Sequence, residues 1–129
     1  LGEFGRYAGV AFQVIDDILA LTADEKVLKK PVGNDIREGK RTLMVVYALK
    51  KASKSQRQKI LETLGNQDAS AEQIRETISL FESLGAIAYA KKLAEKYIRK
   101  SKKALSRFPD GPDKEDLLNL ADLIFARQN

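Results

Sequence analysis

Two adjacent carboxylates, Asp16 and Asp17, sit among Val14, Ile15, Ile18 and Leu19. Carboxylates in apolar company need cations, strong hydrogen-bond donors or protonation. Gln13, Asp16, Asp17 and Ala20 recur at helical spacing and share one strip of a helix. Hard oxygen donors without imidazole or thiolate select Mg²⁺ or Ca²⁺ over zinc or copper. Mg²⁺ takes one or two carboxylates and completes its shell with waters and substrate phosphates. A second reading stays open at this point: Asp16 and Asp17 can simply pair with lysines of another helix. Further along, Lys29-Lys-Pro-Val-Gly-Asn-Asp-Ile-Arg-Glu-Gly-Lys-Arg41 gathers five cationic side chains with Asp35 and two glycines. Lysine ammonium groups act as point charges for phosphate, and glycine backbone brings N–H groups close to anionic oxygens. Metal ligands on one wall and cations on the other are what a metal–diphosphate site requires.

Helices must position these groups. Apolar residues recur at Phe4, Ala8, Ala11, Phe12, Ile15 and Leu19, a stripe that predicts a helix over 3–21 and is expected to be exposed in this chain and to promote self-association. Gly2, Gly5 and Gly9 lie along one side of it and either admit a second helix closely or leave a frayed start. Residues 22–41 read as a long polar connection, the lysine loop. Helical patterning resumes near Thr42, runs to about Ala52, and returns from about Gln56 to Leu64. Ser70-x-x-Gln73 reads as a capping box opening a helix whose apolar face is Ile74, Ile78 and Phe81. After Gly85 a long helix should carry Ile87, Ala90, Ala94, Tyr97 and Leu105 on one face. Asp113-x-x-Asp116 is placed to cap a last helix with Leu117, Ala121, Ile124 and Phe125 inside. The nearest strand-like run, Leu43 to Tyr47, continues in helical register through Ala52. The fold class is all-α. The chain reads as a single helical domain fragment, with a motif helix at 3–21, the lysine loop at 22–41 and C-terminal helices at 42–128.

Composition narrows the chemistry. The 129 residues contain no Cys and no His, so zinc sites built on them, disulfides, thiol nucleophiles and imidazole bases are excluded. With 23 basic and 18 acidic residues the formal charge is +5, which favours anionic partners without separating nucleic acid from small phosphates. No apolar run approaches the roughly 18–20 residues that span a bilayer. The N-terminus does not read as a signal peptide, so a cytoplasmic location is expected. The chain opens at Leu1 and its single methionine is Met44, the pattern expected of a piece of a longer product.

The sequence Gly9-Val-Ala-Phe-Gln-Val-Ile-Asp-Asp-Ile-Leu19, followed by Lys30-Pro-Val-Gly-Asn-Asp35 and Glu38-Gly-Lys-Arg-Thr42, resembles the trans-type isoprenyl diphosphate synthases. The likeness is greatest to the geranylgeranyl and farnesyl diphosphate synthase branch, and it covers that family's second aspartate-rich motif and C-terminal portion. The resemblance implies the C-terminal part of an isoprenoid-synthase helical bundle. It also implies a Mg²⁺-dependent prenyltransferase that condenses isopentenyl diphosphate with an allylic diphosphate, and a homodimer when full length. By position, Asp16 matches a metal ligand, while Asp17 and Asp35 match carboxylates that hold the metal's waters. Lys30 and Lys40 match lysines at the allylic diphosphate, and Phe12 and Gln13 match residues beside the reacting carbon chain. Asp16, Lys30 and Lys40 are thus the expected catalytic residues.

The family pattern Asp-Asp-x-x-Asp ends here on Ala20, and Lys29 stands where the loop usually has glycine. The family's first aspartate-rich motif has no counterpart in this sequence, so the chain alone is expected to be inactive. A non-catalytic regulatory subunit of a prenyl synthase is the alternative. A terpene cyclase or head-to-head condensing enzyme fits the lysine loop less well. A nucleic-acid module is not expected, because many basic residues are scattered at helix ends.

Overall fold

The computed structural model describes residues 2–22 and 32–127. The elements are α1 (Gly2–Thr22), α2 (Asn34–Arg37), α3 (Leu43–Lys51), α4 (Lys54–Thr63), α5 (Ala71–Ser83), α6 (Ala86–Ala104), a 3₁₀ turn (Leu105–Arg107) and α7 (Pro112–Ala126). Among the described residues there is no strand, and the fold is all-α as expected. No described helix is long and apolar enough to cross a membrane. The chain divides into two compact units, residues 1–16 with 90–129 and residues 17–89.

In the unit of residues 17–89, the starts of α3, α4 and α5 each have a local cause. Thr42 caps α3 by accepting from the Val45 N–H. Ser53 and Ser70 each form a full capping box, with Gln56 and Gln73 respectively. Two otherwise orphaned N–H groups are satisfied reciprocally in each box. Helix α5 packs against α3 and α4. Met44, Val45, Ala48, Ile60, Ile74 and Phe81 are buried there, Phe81 completely. Burying a ring of that size contributes about 1.5–3 kcal/mol.

In the unit of residues 1–16 and 90–129, Phe4, Ala8, Ala11, Ile15, Ala90, Ala94, Ile98, Leu105 and Ala121 are buried. Ser101 is fully buried as well, and its hydroxyl donates to the Ile98 carbonyl at 2.7 Å. A methyl group added at Gly2, Gly5 or Gly9 would meet nothing within 4 Å.

Several expectations need correction. The apolar stripe of α1 is mostly covered rather than exposed: Phe4, Ala8, Ala11 and Ile15 are buried. Phe12 is 42% exposed, whereas Val14 and Ile18 are inside. The buried set Phe4, Ala8, Ala11, Ile15 and Ile18 keeps to steps of three and four, and Phe12 falls one residue off that line. Leu117 and Phe125 are only half-buried, as are Leu19, Ile78 and Tyr97 on the apolar faces of their helices. On α5 the inward place beside Ile78 goes to Thr77, whose hydroxyl donates to the Gln73 carbonyl at 2.9 Å. Asp113 does not cap α7. Gly111 takes that position with Pro112 at the start of the helix, and Asp113 stands in the first turn. Proline pre-sets the first helical φ and lacks one of the N–H groups that the first turn would otherwise leave unsatisfied, which suits it to that position. The connection over 22–41 is not without structure, since it contains α2.

Candidate functional site

The sequence-predicted groups divide by partner. Asp17, Asp35 and Lys40 come together: Lys40 Nζ lies 3.1 Å from Asp17 Oδ1 and 3.9 Å from Asp35 Oδ2. The carboxylate side chains are only 12% and 13% exposed, against 47% for Lys40. Leu21, Ile36, Val45 and Phe81 line the same crevice and give the cluster an apolar floor. Sheltered charges on such a floor must be paired, and the Lys40 ammonium meets that requirement.

The loop that presents Asp35 and Lys40 is held at several points. Gly33 adopts φ 81, donates its N–H to the Ala20 carbonyl at 3.0 Å and caps α2. A Cβ at Gly33 would lie 2.3 Å from Ile74 Cγ2 on α5, so only glycine fits. Gly39, at φ 75, packs so closely on Gly65 that a Cβ there would lie 3.1 Å from the Gly65 Cα. The Ile36 carbonyl accepts from Gly65 N–H at 2.7 Å, and Arg37 Nε donates to the Ala69 carbonyl at 3.2 Å. Within the loop, Lys40 N–H donates to the Asp35 carbonyl at 2.9 Å. Gly33, Arg37, Gly39 and Gly65 were not singled out as positioning residues from sequence. The one available signal was that Gly33 immediately precedes Asn34 and Asp35, a turn composition.

Asp16 has a different partner. Its Oδ1 accepts from Arg127 Nη2 at 2.8 Å, and the Arg127 guanidinium carbon lies 4.4 Å from the centroid of the Phe12 ring. Arg127 carried no expectation. Gln13 is exposed, and Ala20, the position of the family's third aspartate, is buried at 6% exposure. Lys30, together with Lys29 and Pro31, lies outside the described residues.

Among the described residues, no group of three or more Asp, Glu, His or Cys converges closely enough to hold a metal by itself. The donor set nevertheless suits Mg²⁺. Asp17 and Asp35 are hard oxygen donors that already flank one cation, and Mg²⁺ binds through one or two carboxylates plus phosphate oxygens.

A family model described as polyprenyl synthetase matches residues 1–81. The chain is 40% identical over 129 residues to a short chain isoprenyl diphosphate synthase of Methanothermobacter thermautotrophicus, covering 100% of this chain and 39% of that protein. A geranylgeranyl pyrophosphate synthetase from Pyrococcus horikoshii superposes with a TM-score of 0.89 at 40% identity, over 95% of this chain and 37% of that one. A geranylgeranyl pyrophosphate synthase from Corynebacterium glutamicum, solved with isoprenyl diphosphate and magnesium, superposes with a TM-score of 0.88 at 30% identity. That likeness covers 97% of this chain and 36% of the other. The chain thus spans well under half the length of each of these proteins.

Proposed function

Because the chain belongs to the polyprenyl synthetase family, we propose that it carries the allylic-diphosphate side of a Mg²⁺-dependent prenyl transfer. In this reaction isopentenyl diphosphate condenses with an allylic diphosphate, as in the geranylgeranyl and farnesyl diphosphate synthases. The observation that carries this reading is Lys40, set against both Asp17 and Asp35 by a loop that glycine contacts and backbone hydrogen bonds hold in place.

Asp16, Asp17 and Asp35 would hold Mg²⁺, with Asp17 and Asp35 acting through its waters. When bound, the ion supplies positive charge to the departing diphosphate. Lys30 and Lys40 add charge at the same oxygens, so the allylic C–O bond breaks with its electron pair leaving on the diphosphate. The double bond of isopentenyl diphosphate then attacks the allylic cation, and a proton is lost. Phe12, exposed on α1, and Gln13 flank the carbon chain in this reading. The family resemblance alone extends it to a homodimer in the cytoplasm.

The test is calorimetric titration of the chain with inorganic pyrophosphate, with and without Mg²⁺. Binding that requires Mg²⁺ and is lost in Asp17→Asn supports the reading. Absence of binding, or binding indifferent to both Mg²⁺ and Asp17, overturns it. Ala20 favours a second reading, a non-catalytic regulatory partner of a prenyl synthase. A chain in that role would alter a synthase's turnover while binding no Mg²⁺–pyrophosphate itself.

A further inference from the structure

Arg127 covers two residues of the proposed site at once. Phe12 and Asp16 are four apart on α1 and so share a face. The Arg127 guanidinium, at the C-terminal cap of α7, donates to Asp16 Oδ1 at 2.8 Å while its carbon lies 4.4 Å from the Phe12 ring centroid. A planar, delocalised cation can satisfy a carboxylate and stack on an aromatic face together, which a lysine does poorly. The position at a helix C-terminus favours the cation as well. The pair is half in water, with Arg127 40% and Asp16 41% exposed. Ion pairs so exposed are weak. Such a pair can set the direction of a carboxylate without resisting a more highly charged competitor.

We propose that Arg127 is a resident counter-ion of Asp16 that exchanges with the divalent cation: guanidinium and metal compete for one carboxylate, and release of Arg127 also uncovers the Phe12 ring. This inference rests on the assignment of Asp16 as a metal ligand under the proposed function. Its thermodynamic content is linkage. A site that must first release a cation shows metal affinity reduced by the fraction of molecules in which the carboxylate is free. Metal binding must loosen the Arg127 contact to the same extent. Arg127 is therefore a positioning residue, and its signature is in binding rather than in turnover.

The experiment compares Mn²⁺ binding, followed by electron paramagnetic resonance in the presence of inorganic pyrophosphate, in the unmodified chain, Arg127→Gln and Arg127→Lys. Arg127→Gln is expected to tighten Mn²⁺ binding about two- to five-fold, the range a weak exposed ion pair allows. Arg127→Lys should fall between that variant and the unmodified chain. In parallel, the Arg127 Nε–H resonance should shift when Mg²⁺ and pyrophosphate are added, and the shift should disappear in Asp16→Asn. Unchanged affinity in Arg127→Gln overturns the proposal. Weaker affinity overturns it too, because the guanidinium would then be serving the diphosphate. If the unmodified chain binds no Mn²⁺ with pyrophosphate, the proposed function fails and the exchange fails with it. A binding chain whose affinity ignores Arg127 sinks the exchange alone.

Discussion

Replacing Gly33 with alanine tests whether the loop carrying Asp35 and Lys40 is built on a contact that only glycine permits. The backbone at Gly33 has φ 81, and holding an L-residue in that left-handed region costs roughly 1–2 kcal/mol. The added methyl carbon would also lie 2.3 Å from Ile74 Cγ2, a buried side chain at 3% exposure. Overpacking of a core contact costs typically about 1–3 kcal/mol. Gly33→Ala should therefore lose about 2–5 kcal/mol, a large share of the roughly 5–15 kcal/mol of a whole domain. Gly33→Asn separates the two causes, because asparagine tolerates left-handed backbone but keeps the clashing Cβ. If the contact dominates, the asparagine and alanine variants should be nearly equally damaged. A double-mutant cycle with Ile74→Ala should then show the losses to be sub-additive. Urea unfolding followed by circular dichroism measures each step. A loss below about 0.5 kcal/mol in Gly33→Ala, the size of an ordinary surface change, would refute the reasoning.

Lys40→Gln removes a cation set beside two sheltered carboxylates. Its cost should lie between about 1 kcal/mol for an exposed pair and 3–5 kcal/mol for a buried one. Millimolar Mg²⁺ should restore part of that stability in Lys40→Gln and very little in the unmodified chain; equal responses in thermal melts would argue against a cation slot. Ser53→Ala and Ser70→Ala should each lose about 1 kcal/mol of stability with their capping boxes, and neither should change Mg²⁺–pyrophosphate binding. The 129-residue chain by itself is expected to give no sustained prenyl transfer from an allylic diphosphate, isopentenyl diphosphate and Mg²⁺. Product formation over many turnovers would overturn that expectation.

Helices with strong periodicity and local caps were legible in the sequence because their causes lie within a few residues. Ser70 and Gln73 spell out their own capping box, and the structure contains both of its hydrogen bonds. Ser53 and Gln56 carry the same pattern, yet the helix was expected to begin near Gln56. It begins at Lys54, because the cap precedes the apolar pattern that periodicity detects. The last helix went the other way. Asp113 and Asp116 resemble a cap, but Gly111 and Pro112 had already set the start by backbone geometry alone. The choice of Thr77 over Ile78 for the inside of α5 was not legible. Thr77 meets its own hydroxyl's needs through the Gln73 carbonyl, which offsets the cost of burying it.

The site divides along the same lines. Residue types singled out the Asp16–Asp17 pair and the lysine-rich stretch after it, the family resemblance added Asp35 and Lys40 by position, and the structure brings Asp17, Asp35 and Lys40 together. What holds them in place was invisible, because Gly33 depends on Ile74 and Gly39 on Gly65, contacts made far along the chain. Asp16 and Asp17 look equivalent in sequence, but successive residues on a helix project about 100° apart. Asp17 accordingly meets Lys40, while Asp16 meets Arg127, 111 residues later. The spacing of a motif predicts which carboxylates are available for a cation. It does not predict which cationic side chain each one holds, and that difference makes the Asp16–Arg127 pair the more informative of the two to perturb.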